Sequence, residues 1–255
     1  MELKKDIGII LKNQKYKETS IIIRVFLKKH GLKSFLLKGA TRKHSFSSLS
    51  YNPLSLIQLS WKPKIERKLI IPYSVECLSP LGFNLKTYHT STVAQELTLL
   101  VYRTWKSGFP EQKLLIYLIR AVRLLQGKSA AYSLWIYTWF VLRLLDLHGF
   151  HLNLFFCQGC GKALHEQDVW FPKLAEGFMG KCCLNKEEQN LAIFIPDKTR
   201  QNLINLEITG KVFVQEAPVD SIRKLVFTLL EKHFPLLVNQ RLCTRKKWYE
   251  LLVSE

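Results

Sequence analysis

The chain has 255 residues, 47% of them hydrophobic and 23% charged, which excludes general disorder and allows a sizeable core in one large domain or two to three small ones. Against 20 Asp and Glu stand 38 Lys and Arg, a net charge of +18 that favours a polyanionic partner: DNA, RNA or an anionic membrane surface. A basic protein from a basic proteome is the bland alternative.

The apolar run near the N-terminus, residues 7–11, is shorter than the roughly 7–15 residues of a signal-peptide core. The most apolar stretch, residues 130–142, falls short of the about 20 residues of a membrane span. These lengths predict a cytoplasmic protein without a membrane partner.

The first 80 residues read as β-structure. Segments 7–11, 20–27, 32–38, 54–61 and 65–77 are short and β-rich, separated by polar stretches and turns such as His30-Gly31. Five short strands in this length predict a closed barrel of the OB-fold pattern, which leaves no sheet edge open. The charge gathers here: over residues 1–80, 13 Lys and 3 Arg face five acidic residues, a net of +11.

After Pro80 the apolar period becomes helical. Helices are predicted over 87–107, from Pro110 to about Gln126, and over 130–148, the last with Gly149 at its C-cap. That third helix is apolar nearly all round and belongs at the centre of a bundle. Residues 150–190 carry cysteines and glycines with little periodicity. Further helices are expected over 196–206, 221–233 and 236–253. The fold class is α+β. It comprises an OB-fold barrel (1–80), a helical bundle (81–150), a small zinc-ribbon-like cysteine module (151–190) and C-terminal helices packing on the bundle (191–255).

The barrel offers the stronger functional signal. Barrels that bind single strands combine cationic grooves with aromatic platforms. Lys12, Arg24, Lys38, Arg42, Lys43, Lys62 and Lys64 are the candidate phosphate contacts, and Tyr16, Phe46 and Trp61 the candidate stacking rings. Any one of these lysines is more often just a solvated surface charge, and Trp61 and Phe46 read as readily as core. Their concentration on one small domain is what carries weight.

Four of the six cysteines fall in one window, which in a reducing compartment suggests metal rather than disulfides. Cys157-Gln158-Gly159-Cys160-Gly161 is a strong half-site for a tetrahedral ion. Cys182 and Cys183 form an irregular second pair, because successive side chains diverge in extended backbone. Three options stay open: both bind in a strained turn, one binds with His151 or His165 as fourth ligand, or the metal has been lost. No phosphate-binding loop, dinucleotide fingerprint or nucleophile elbow is present.

Several segments resemble the RecO family of bacterial recombination-mediator and DNA repair proteins. They are Gly8-Ile9-Ile10-Leu11-Lys12 with Tyr16-Lys17-Glu18-Thr19-Ser20, the segment from Phe26 to Gly31, and Lys38-Gly39-Ala40 with Arg42. The run 142–149 leading into Cys157 and Cys160, and Gly177-Phe178 before Cys182 and Cys183, add to it. The resemblance implies binding of single- and double-stranded DNA, annealing of complementary strands, and no nucleotide hydrolysis. It also implies partnership with RecR and with the acidic C-terminal tail of the single-stranded DNA-binding protein, so that the recombinase RecA is loaded indirectly. Many relatives carry two Cys-x-x-Cys pairs. Here Gly180 stands where the third cysteine would be, which weakens the zinc expectation. An RNA-binding barrel and a cysteine-dependent enzyme using Cys160 or Cys183 are the competing readings.

Overall fold

The computed structural model describes residues 2–40, 51–62, 69–209 and 219–235. The chain divides into two compact units, Met1–Lys128 and Ser129–Glu255.

The first unit is built on five strands: β1 (Lys4–Tyr16), β2 (Ser20–Leu27), β3 (Gly31–Leu37), β4 (Ser55–Trp61) and β5 (Ser74–Pro80). They form an antiparallel sheet in the order β3-β2-β1-β4-β5. In β2 the alternation is strict over its first six residues: Ile21, Ile23 and Val25 point inward, with Leu27 continuing the row. With Ile10, Phe35, Ile57, Leu59 and Trp61 they make one apolar core. The sheet curls so that Ile70 meets β3 in a parallel bridge. Leu36 N–H donates to Ile70 O at 2.7 Å, and Ile70 N–H donates to Ser34 O at 3.0 Å. The other half of the β3 edge accepts from Gly108 N–H and Ser107 Oγ–H through Leu32 O. The β3 edge is thus covered at Leu32, Ser34 and Leu36, in keeping with an OB-fold barrel.

Two strands differ most from the sequence expectation. Strand β1 is longer than 7–11, because its ends are polar on both faces and carry no period. Strand β5 starts at Ser74, with Pro72 just before it; proline has no N–H for a ladder, and residues 65–68 of the expected strand lie outside the described residues. Helices α1 (Tyr88–Thr104) and α2 (Gln112–Leu125) lie in the unit with the sheet. Glu111 caps α2 by accepting from Lys113 N–H at 2.9 Å.

The second unit centres on α3 (Ala130–Leu147), buried on almost every side. Its C-terminus closes as predicted: Gly149 takes φ 86° and Phe150 N–H donates to Leu145 O at 2.9 Å. A small sheet, β7-β6-β8, is made from β6 (Val169–Phe171), β7 (Met179–Gly180) and β8 (Ile193–Ile195). Helix α4 (Lys186–Leu191) opens with an Asn185/Glu188 capping box, and α5 (Asp197–Thr209) and α6 (Val219–His233) follow. The helix expected over 236–253 lies outside the described residues. Among the described residues no helix is long and apolar enough to cross a membrane.

Candidate nucleic-acid interface and metal centre

A single extra residue in β1 creates the cationic face. Ile10 pairs with Val25 and Lys12 with Arg24, leaving Leu11 as a bulge. Without the bulge Lys12 would stand opposite Ile23, a core position. With it, Lys12, Arg24 and Ser34 form one row across β1, β2 and β3 on the outer face. Arg24 is held there: its Nη1 donates to Ser34 Oγ at 3.2 Å, and its guanidinium lies 5.3 Å from the Tyr102 ring centroid of α1. Lys12 is exposed. Two like charges directly opposite across a ladder repel, so a bound phosphate between them would relieve a cost that the free protein carries.

The remaining candidates do not converge on this row. Lys38 is exposed just beyond β3. Tyr16 is 39% exposed at the far end of β1, with Lys17 Nζ 5.8 Å from its ring centroid. Lys62 is exposed after β4, 5.5 Å from the Tyr73 ring centroid. Since Lys4 pairs with Trp61 and Tyr16 with Ser20, Lys62 and Tyr16 lie at opposite ends of β1, at most about 40 Å along the strand at ~3.3 Å per residue. Trp61 is corrected: at 1% exposure it is core, edge-on to Phe35 at 5.5 Å and to His30 at 5.0 Å, and has no face for a base. Below it Asp6 is buried, accepting from Lys29 N–H at 2.9 Å and bonded to His30 Nδ1 at 2.8 Å. Arg42, Lys43, Phe46 and Lys64 lie outside the described residues. Tyr102 and Ser34, which fix Arg24, were not anticipated; nothing in their spacing marks them out.

The cysteines do converge. Cys157, Cys160 and Cys183 bring their sulfurs within 4.8 Å of one another. Cys182 Sγ lies 3.7 Å from Cys183 Sγ and 4.0 Å from Cys160 Sγ. Thiolates about 2.3 Å from a tetrahedral zinc stand about 3.8 Å apart, so Cys157, Cys160 and Cys183 fit three corners of such a site, while Cys182, near Cys160 and Cys183, lies outside their cluster. Lys181–Cys183 is a tight 3-10 turn rather than extended backbone, which keeps the two adjacent sulfurs 3.7 Å apart. Cys157 N–H donates to Lys162 O at 2.8 Å and Gly161 N–H to Cys157 O at 2.9 Å, with Gly161 at φ 71°. Gly180 contributes a backbone donor to Cys157 Sγ at 3.4 Å.

Electrostatics divide the thiols. Burial pushes the Cys157 thiol up, but N–H groups of Gly180, Cys160 and Gly159, with the Cys183 thiol, outweigh it and hold it at about 7. Cys183, bonded to the thiols of Cys160, Cys157 and Cys182, is pushed up to about 12. His151 is engaged elsewhere, with its Nδ1 3.0 Å from Asp146 Oδ1.

Two family models match the chain: the recombination protein O N-terminal model over residues 1–80 and the C-terminal model over residues 66–235. An uncharacterized protein of Rickettsia prowazekii is 35% identical over 65 residues, 26% of this chain and 54% of that protein. A DNA repair protein RecO of Rickettsia typhi is 34% identical over 65 residues, 26% of each chain. The match thus spans about half of one relative and about a quarter of the other.

Proposed function

The chain belongs to the RecO family, whose role is in DNA repair and recombination, and on that premise we propose that it is a non-catalytic DNA-binding protein. It binds single- and double-stranded DNA and anneals complementary strands. It also helps load recombinase onto strands coated with the single-stranded DNA-binding protein. The observation that carries this reading is the Lys12–Arg24–Ser34 row on the outer face of the barrel.

Phosphates at Lys12 and Arg24 displace counterions, which gives affinity with a steep salt dependence and no sequence preference. Lys38 and Lys62, exposed beyond β3 and β4, add positive charge towards the two ends of β1, so a strand has a path rather than a point. Neutralising two strands at once lowers their mutual repulsion, and pairing then proceeds without a chemical step. In this reading Arg42, Lys43 and Lys64 add to the path, and Tyr16 and Phe46 stack on bases.

Zinc held by Cys157, Cys160, Cys182 and Cys183 would be structural, fixing the loops around β6 and β7. A cysteine-dependent enzyme fits less well: Cys160 and Cys183 are drawn into one sulfur cluster with Cys157, an arrangement of ligands rather than of a nucleophile beside a base. RecR, the acidic tail of the single-stranded DNA-binding protein and, through them, RecA are the proposed protein partners, and the cytoplasm the proposed location.

The test is fluorescence-detected annealing of complementary DNA strands coated with the single-stranded DNA-binding protein, without ATP, with and without its acidic tail. Acceleration that needs the tail is expected. No acceleration at any salt or protein ratio overturns the annealing reading. Tighter binding of RNA than DNA at equal salt would move the barrel to the RNA-binding reading.

A further inference from the structure

A cavity of about 260 Å³ opens in the first unit, where the turn before β4 meets the segment after β5 and the start of α1. Its walls are apolar at Leu54, Leu85 and the prolines, and polar at Asn52, Ser91 and Gln95, with Phe83 beside them. Phe83 is 65% exposed, so one ring face is available. Among the described residues no partner is found for the Asn52 or Gln95 side-chain amide. The wall itself is unusual: Leu54 is buried yet holds φ 69°, a left-handed conformation that a leucine rarely adopts. Gly82 leaves room for it, since a Cβ there would lie 3.2 Å from Leu54 Cβ. Strain of this kind persists where surrounding structure over-determines it, and collects at ligand sites.

The cavity is tied to the cationic row. Leu54 N–H donates to Ile10 O at 2.8 Å and Asn13 Nδ2 donates to Tyr51 O at 3.0 Å. These two bonds flank Leu11 and Lys12 in β1. Along α1, Gln95 precedes Tyr102, the ring beneath Arg24, by two turns, about 10 Å.

We infer that this cavity receives one unstacked base of a single strand whose phosphates run over Lys12 and Arg24. The chemistry recognises a nucleobase in particular: Phe83 offers a stacking face, and the two amides offer paired donors and acceptors to a base edge. The positive surroundings suit a polyanion, so a nucleic acid is favoured over an apolar peptide. The inference rests on the nucleic-acid-binding reading and adds a subsite to it.

The test compares two single-stranded oligonucleotides of equal length, one of thymidines and one abasic throughout, binding to the full chain over a salt series. The wild-type chain is expected to hold the thymidine strand at least roughly tenfold tighter at fixed salt, the cavity supplying about tenfold as for one stacked base and Tyr16 and Phe46 any remainder. The triple variant Asn52→Ala, Phe83→Ala, Gln95→Ala changes exposed side chains and is expected to lower that preference about tenfold, leaving only what Tyr16 and Phe46 contribute. A 2-aminopurine in the strand should report the same loss through its fluorescence. If the variant keeps the wild-type preference, the base sits elsewhere and the inference falls. Equal affinity for both strands in the wild-type chain also overturns it but leaves phosphate binding standing. Binding of neither strand at low salt overturns both readings. Displacement of 2-aminopurine fluorescence by an acidic peptide at an unchanged affinity for the thymidine strand would assign the cavity to a protein partner instead.

Discussion

Of the net charge of +18, the first unit holds +16, with 23 Lys and Arg against 7 acidic residues, and the second only +2, with 15 against 13. The two units are of similar length, 128 and 127 residues. The first spends its special residues on cations set over a sheet; the second spends them on thiols set in tight turns. Surface charge decides association and hardly touches the fold, so the first unit's asymmetry speaks of a partner. Sulfurs brought to 3.7–4.0 Å are a matter of internal geometry, and speak of stability. Binding and metal should therefore be separable, and that separation can be tested.

The largest effect expected is on the second unit. Cys157→Ser should abolish stoichiometric zinc, measured by chelator absorbance on thiol modification, and cost the unit several kcal/mol in thermal unfolding. Gly159→Ala should act in the same direction, since its Cβ would stand 2.9 Å from Cys183 Cβ. Single-strand affinity of the full chain is expected to change less than about twofold, well under the 1.4 kcal/mol of a tenfold change. A parallel fall in DNA affinity would break the division between the units. Next, Trp61→Ala should destabilise the first unit by about 3–5 kcal/mol through the lost core volume. Trp61→Phe should cost far less and leave DNA affinity in place; a folded Trp61→Phe chain that binds weakly would restore Trp61 as a base platform.

The same two cases show what could be read in advance. The barrel was legible because β2 alternates and its core set is aliphatic. Helix α3 was legible because it is apolar all round, and its end because Gly149 supplies the positive φ of a C-cap. The bulge at Leu11 was not. It adds one residue inside an apolar run, and only the register shows that it turns Lys12 outward. Trp61 closes a strand next to Lys62, and its neighbours in sequence say nothing of Phe35 and His30, its neighbours in space. Cys182 and Cys183 are adjacent, and sequence does not show that a local 3-10 turn holds their sulfurs 3.7 Å apart with Cys183 in the cluster and Cys182 beside it. Strands of two or three residues, as in β6, β7 and β8, are too short to show any period.

A smaller effect sharpens the charge side of the comparison. Lys12→Ala and Arg24→Ala should each lower the slope of log affinity against log salt by about 0.7, the value for one phosphate on a single strand. Titration of labelled oligonucleotide from low to moderate salt reads it directly. Lys173→Ala and Lys186→Ala in the second unit should leave the slope alone. Equal slope changes in both units would mean that total charge, and not the bulged row, governs binding.

The smallest effect asks whether the first unit's field reaches its own interior. Glu96 of α1 is 4% exposed, and burial pushes its carboxyl up to about 7, against the lowering influence of Arg103. A field of +16 should favour the carboxylate, so desolvation is winning over long-range charge. The unfolded chain releases this proton near pH 4.5, while the folded chain keeps it until about pH 7. Between those values the folded state binds more protons, so stability falls as pH rises through the window and levels off above it. Glu96→Gln should flatten that fall, leaving stability nearly unchanged at pH 5 and raising it by roughly 1–2 kcal/mol at pH 8. Urea unfolding of both proteins at the two pH values measures the difference. Raising the salt should barely move the result, because a buried carboxyl governed by desolvation is poorly screened. A strong salt dependence would show the opposite: that the basic surface built for a polyanion also sets the protonation of the core beneath it.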